Sequence, residues 1–240
     1  MDFEEFSFKL KELLIMIGIE VSDKECENLY KYMNLLIEWN KRINLTAIID
    51  PEEIILKHFV DSLMIEKYIG EGNKVIDVGT GAGLPGIPLS IIKENNEFIL
   101  ADSLNKRINF LEIVRKEIGI NNVNLIHGRA EELARNQQYR QQYDIVVSRA
   151  VARLNILLEY MIPFLKIGGT CICMKAANCE EEISEANKAI ELLGGKIEFI
   201  DKTTLPNTEI LRNNIIIKKI KETPNKYPRK PGTPVKEPIV

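Results

Sequence analysis

The sequence has no run approaching the roughly 18 consecutive apolar residues that a membrane-spanning helix needs. Its first five residues, Met1-Asp2-Phe3-Glu4-Glu5, are acidic where a secretory leader is basic. A cytoplasmic protein with no membrane partner is therefore expected. Cysteine is sparse: Cys171 and Cys173 lie two apart in a strand-like run, and Cys26 and Cys179 are isolated. That spacing suits neither a metal site nor a redox pair, so buried, reduced thiols and no metal are expected. Histidine is rarer still. His58 and His127 lack any partner spacing that marks a general base, and both read as hydrogen-bonded structural residues. Repeats and low-complexity tracts are also missing. What remains is ordinary globular material: 240 residues, 45% hydrophobic and 28% charged, enough to bury a sizeable core and unlike a disordered or coiled-coil chain. The net charge of −3 speaks against gripping nucleic acid by bulk charge.

The first seventy residues carry a helical period. Phe3, Phe6, Leu10, Leu13, Leu14 and Ile17 recur at steps of three and four until Gly18. Ser22 with Glu25 is a capping box opening a second helix, and Asp50-Pro51 with Glu53 marks another helix start. Trp39 falls on an apolar helical face and is expected in the core. From Lys74 short apolar runs alternate with amphipathic stretches, as in βα units of a parallel sheet. Strands are predicted at 74–79, 97–102, 123–127, 143–148 and 170–174, with helices at about 85–95, 105–118, 131–137, 153–165 and 179–193. The runs 196–205 and 212–220, joined through Pro206 and Asn207, read as an antiparallel hairpin. The expected fold is α/β: a helical cap over 1–70, a core over 71–221 with a seven-stranded, mostly parallel sheet, and a basic, proline-rich tail over 222–240 too broken for regular structure.

The strongest motif is the loop Asp77-Val78-Gly79-Thr80-Gly81-Ala82-Gly83-Leu84-Pro85-Gly86, between a strand and a helix. Glycines there let a ligand lie on bare backbone at a helix N-terminus. Gly81, Gly83 and Gly86 also satisfy the dinucleotide pattern G-x-G-x-x-G, and Asp102, closing the next strand, can accept from both ribose hydroxyls in either class. Asp77 suits a ligand with a cation near the loop rather than a pyrophosphate. This loop, the acid after strand two and the terminal hairpin together resemble Rossmann-like S-adenosylmethionine-dependent methyltransferases. After strand four stands Ser148-Arg149-Ala150-Val151-Ala152-Arg153, with neither the N/D-P-P-Y/F box of amino-methylating enzymes nor a nearby nucleophilic cysteine. A guanine N7 already exposes a lone pair, so positioning at about 3–3.5 Å can replace a general base.

Further stretches make the resemblance specific. They are Trp39-Asn40 with Asn44-Leu45-Thr46, Lys57-His58 with Asp61-Ser62-Leu63, residues 75–89, Asp102-Ser103 with Lys106-Arg107, Gly128 to Glu132, SRAVA at 148–152, and Tyr227-Pro228-Arg229 through Lys236. With them the chain resembles the glucose-inhibited division protein B family, 16S rRNA guanine-N7 methyltransferases. The resemblance implies S-adenosyl-L-methionine contacts at Gly79, Leu84, Ala130, Glu131 and Arg149; the loop and ribose arguments add Asp77, Gly81, Gly83 and Asp102. It implies 16S rRNA or the small ribosomal subunit as partner, and a monomer is expected. From Arg212 onward eight cations face two carboxylates, an excess of six positive charges on an otherwise acidic chain. An RNA path over Lys106, Arg107, Arg149, Arg229 and Lys230 is expected on that ground. A methyltransferase of another substrate and a non-catalytic RNA-binding assembly factor stay open as alternatives.

Overall fold

A computed structural model describes residues 1–177 and 179–240. The N-terminal helices form where their caps predict. Helix α1 (Phe3–Met16) opens on Asp2, and α2 (Asp23–Ile43) opens on the Ser22–Glu25 capping box. Asn44, in a left-handed conformation, ends α2. Helix α3 (Pro51–Ile54) begins on Asp50, whose carboxylate accepts from the Glu53 amide at 3.0 Å. It runs through a π-helical turn, Ile55–Val60, into the short α4 (Asp61–Leu63).

The core then alternates: β1 (Lys74–Val78), α5 (Gly86–Ile92), β2 (Glu97–Asp102), α6 (Asn105–Ile118), β3 (Val123–His127), α7 (Ala130–Leu133), β4 (Tyr143–Arg149), α8 (Leu154–Met161), β5 (Leu165–Ala176), α9 (Glu180–Leu193), β6 (Gly195–Thr204) and β7 (Leu211–Lys219). The strands form one seven-stranded sheet in the order β3-β2-β1-β4-β5-β7-β6. β1 to β5 pair in parallel, and β7 is antiparallel to both β5 and β6, so the sheet ends in the expected hairpin.

Three boundaries differ from the sequence reading for local reasons. The helix expected over 153–165 stops at Met161, and a 3-10 turn holding Pro163 leads into β5, because proline has no amide to continue the ladder. β5 starts five residues before the expected 170, with a register shift where Tyr143 pairs Leu165 but Ile145 pairs Thr170. The segment expected as a helix over 131–137 keeps only the four residues of α7.

Period-two alternation sends successive strand residues to two cores. Val75, Phe98, Leu100, Ile145 and Val147 face the cap, joining Phe6, Leu29, Tyr32 and Phe59 in one cluster. Ile76, Val78, Ile99, Ala101 and Val146 face α8 and α9. All four cysteines are free and buried, and Trp39 packs on Phe110 with centroids 6.2 Å apart.

The tail is docked rather than loose, which corrects the expectation for 222–240. It carries a short α10 (Thr233–Lys236). Arg140 donates to the carbonyls of Tyr227 and Thr223 at 2.8 Å, and Arg135 Nε to that of Pro228 at 2.8 Å. Side chains from the core thus satisfy backbone oxygens that no strand or helix partner meets.

Candidate active site

At the carboxyl ends of β1, β2 and β3 a cavity of about 170 Å³ opens, where ligands of open α/β sheets bind. Val78, Gly79, Ala101, Asp102, Glu131 and Tyr160 are among its walls, with Ser103, Arg129, Ala130 and Val151. Of the expected ligand residues it therefore gathers Gly79, Asp102, Ala130 and Glu131. A Cβ on Gly79 would stand 2.7 Å from Val151 Cγ2, so only glycine lets the loop after β4 close over the loop after β1. Ser103, Arg129 and Val151 fall in the motif stretches without a ligand role expected of them, whereas Tyr160 falls in none and only the fold brings it to the rim.

Asp102 is held rigidly. Its Oδ2 accepts from the Gly81 amide at 2.9 Å and from Arg107 Nη1 at 3.2 Å, and its Oδ1 accepts from the Leu104 amide at 2.9 Å. Three of a carboxylate's roughly four lone-pair positions are occupied. One ribose hydroxyl fits without rearrangement, and a second must displace Arg107, which corrects the expectation of two free contacts. Arg107, expected on the RNA path, is thus paired with a buried carboxylate while its side chain stays part exposed. Glu131 is buried and offers Oε1 to the Gly232 amide at 3.1 Å. An aromatic base between Val78, Ala101, Val151 and Tyr160, a ribose hydroxyl donating to Asp102 and an exocyclic amine donating to Glu131 would match these apolar walls and carboxylate acceptors, so the lining suits an adenosine.

Asp77 does not reach the cavity. It shares strand parity with Val75, so it turns to the cap face and is fully buried. Its Oδ2 accepts from Thr80 Oγ1 at 2.7 Å and from the Gly86 amide at 3.0 Å. A Cβ on Gly86 would lie 2.9 Å from that oxygen, hence the glycine. Asp77 braces the loop through Oδ2 and is not in the cavity wall, whereas its Oδ1 has no hydrogen-bond partner among the described residues. Gly81, Gly83 and Leu84 likewise lie outside the cavity wall; a Cβ at Gly83 would strike Ile87 and Leu111. Tyr32 of the cap fastens the same loop by donating to the Ala82 carbonyl at 2.7 Å.

Burial pushes the Asp77 carboxyl up to about 7, against the opposing pull of its Thr80 and Gly86 hydrogen bonds. The folded state therefore holds a proton that the unfolded chain releases near 3.8, and its contribution to stability is full below that value and is lost as pH rises to about 7. Asp77→Asn keeps a neutral group there. The stability difference between the native protein and this variant is expected to decline across that window and level off above it, as read by urea unfolding at stepped pH. A difference that ignores pH would sink the assignment.

Arg149, expected at the cofactor and on the RNA, lies in a neighbouring cleft at the ends of β4 and β5 beside the cap. Its Nη1 donates to Asp61 Oδ2 at 2.9 Å and to the Lys57 carbonyl at 3.1 Å. Asp61 Oδ1 accepts from Arg212 Nε at 2.7 Å. One buried carboxylate thus aligns two guanidiniums, leaving a net positive cleft suited to phosphate or a guanine edge. The motif residues of the cap build its wall. Asn40 Oδ1 accepts from the amides of Leu45 and Thr46, and Thr46 Oγ1 lies 2.8 Å from His58 Nε2. Burial, then the Arg149 charge, pulls His58 down to about 4, so it is neutral near pH 7 and a weak base. His127 only meets the Ser103 carbonyl, at 3.1 Å.

Arg229, also expected on the RNA path, pairs through Nη2 at 2.7 Å with Glu159, which is wholly buried. Arg153 pairs with Glu185 at 2.7 Å on the surface. Lys106 and Lys230 are exposed.

A family model described as rRNA small subunit methyltransferase G matches residues 25–211. The chain is 53% identical over 225 residues to a ribosomal RNA small subunit methyltransferase G of Clostridium botulinum (strain Okra / Type B1), covering 93% of this chain and 94% of that one. It is 48% identical to the protein of the same name from Alkaliphilus metalliredigens, covering 96% and 97%. In fold it is similar to a SAM-dependent methyltransferase of Aquifex aeolicus, with TM-score 0.53, 17% identity and coverage of 70% and 93%. M. jannaschii TYW2 in complex with AdoMet gives TM-score 0.53 at 18% identity over 67% of this chain and 77% of that one.

Proposed function

The chain belongs to the rRNA small subunit methyltransferase G family, and from that premise we propose how its two clefts divide the reaction. It is an S-adenosylmethionine-dependent rRNA methyltransferase. The substrate is 16S rRNA in the small ribosomal subunit, and the atom modified is N7 of one guanine. Among the described residues no helix is long and apolar enough to cross a membrane, and a cytoplasmic, ribosome-associated protein acting as a monomer is the reading that suits this substrate.

S-adenosylmethionine, when bound, supplies an electrophilic methyl on a sulfonium sulfur. Asp102 and Glu131 hold its ribose and adenine, and Gly79 lets the loop after β4 close on it. The observation that carries the reading is the placement of residues 149–151: Val151 walls the first cavity while Arg149 lines the second cleft. The guanine and its phosphates are received at Arg149 and Arg212, with the exposed Lys106 and Lys230 on the path that leads there. The N7 lone pair forms the new C–N bond as the S–CH3 pair returns to sulfur, so no proton moves and no base is required. Neutral His58 and the structural His127 agree with that. Mapping N7-methylguanine in 16S rRNA from cells with and without the protein tests this. One modified guanine is expected to vanish with the gene; an unchanged map overturns the proposal.

A further inference from the structure

Apart from the exposed Lys230, the tail motif Tyr227 to Lys236 has no part in the reaction as described, yet it is anchored to residues of the cofactor cavity and their neighbours. Arg229 donates to Glu159 from its main-chain amide at 2.6 Å and from Nε at 3.0 Å, both to Oε1, while Nη2 meets Oε2 at 2.7 Å. Glu159 precedes Tyr160, a wall of the cavity. From the other side Arg135 and Arg140 hold the carbonyls of Pro228 and Tyr227. Between these anchors and α10 lies Gly232, at φ +83°, a backbone region that favours glycine. Its amide thereby points at Glu131 Oε1, 3.1 Å away.

We propose that this segment is a strap whose Gly232 amide fixes the Glu131 carboxylate, making Glu131 and Gly232 together the determinant of adenine selectivity in the cofactor. The inference rests on the reading that the cavity takes the adenosine. A free glutamate has several rotamers and can turn away from a base that offers the wrong edge. With one oxygen held by Gly232, the carboxylate presents a fixed acceptor. It receives an exocyclic amine and repels a carbonyl oxygen at the same position, so a base carrying a carbonyl at C6 is rejected rather than accommodated. A site built to accept a hydrogen bond discriminates strongly against an analogue that cannot donate it. The strap therefore makes selectivity a property of the docked tail as well as of the glutamate.

The test is titration calorimetry on the full chain with S-adenosylhomocysteine and with its inosine counterpart, S-inosylhomocysteine. The unaltered protein is expected to prefer the adenine ligand by about a hundredfold, and Glu131→Gln to lose most of that preference. Arg229→Gln, which loosens the anchor, and Gly232→Ala, which has open space for its Cβ but an unfavourable φ, are each expected to lose at least about tenfold of the ratio. Gly232→Ala leaves the Glu159 pair in place, so it carries the test if Arg229→Gln does not fold. If the unaltered protein binds both ligands equally, the adenine reading fails and the strap with it. If it discriminates through Glu131 but both tail variants keep the full ratio, or weaken both ligands alike, the adenine reading stands and the strap is overturned.

Discussion

Asp102→Ala is expected to lower affinity for S-adenosylhomocysteine by about a hundredfold, the free-energy equivalent of one or two charge-assisted hydrogen bonds at roughly 1.5–3 kcal/mol each. Two losses combine. The ribose loses its acceptor, and the Gly81 and Leu104 amides and Arg107 lose theirs, so the glycine loop and the start of α6 are no longer tied to the end of β2. Asparagine is not a neutral control. One of its positions is an NH2, which would face a donor, whether Gly81 and Arg107 on one side or Leu104 on the other. Asp102→Asn is expected to fall between alanine and the unaltered protein. Calorimetric titration checks both variants, and an alanine variant within threefold of the unaltered affinity would remove Asp102 from the cofactor site.

Asp61→Ala is expected to destabilise the fold by about 3–5 kcal/mol, the cost of leaving buried charges without their partner. Arg149 comes from β4 and Arg212 from β7, and both converge on this one carboxylate beneath the cap. Its removal leaves two mostly buried guanidiniums side by side. Because the pair also shapes the second cleft, methylation is expected to fall beyond the loss of folded protein. Urea unfolding measures the first effect and single-turnover methylation of saturated, folded enzyme the second. A double-mutant cycle with Arg212→Met separates repulsion from lost packing: strong non-additivity is expected for groups in direct contact. A cost below about 1 kcal/mol would show the cluster to be solvated, as surface ion pairs are.

The sheet was legible because strands and helices differ in hydrophobic period, and the caps at Ser22 and Asp50 are local signals within four residues. Asp77 shows where the motif misleads: its place before the glycines suggests the ligand, whereas strand period puts it on the face of Val75, toward the cap. What could not be read were partnerships across the chain. Glu159 meets Arg229 70 residues away, and Asp61 meets Arg149 88 residues away and Arg212 151 away. Charge counting sees only that cations cluster in the tail. It misses that Arg229 is neutralised by the buried Glu159, that Arg212 shares one buried carboxylate with Arg149, and that Lys219 is buried against the carbonyls of Ile162 and Leu165, its ammonium pulled down to about 8 by burial. The excess of six positive charges is therefore partly an internal affair, and the cations left for RNA are fewer than the sequence suggests.

The link between Glu131 and Gly232 spans 101 residues of chain and so also has a date in the life of each molecule. At roughly 5–20 residues per second, the glutamate is synthesised about 5–20 s before the amide that fixes it. During that interval β4 to β7 are made in turn, and the base pocket stays unfinished until they and residue 232 have followed. A product ending soon after β7 would retain the whole sheet and lack this closure. The cofactor site is therefore completed only after the whole sheet has been translated.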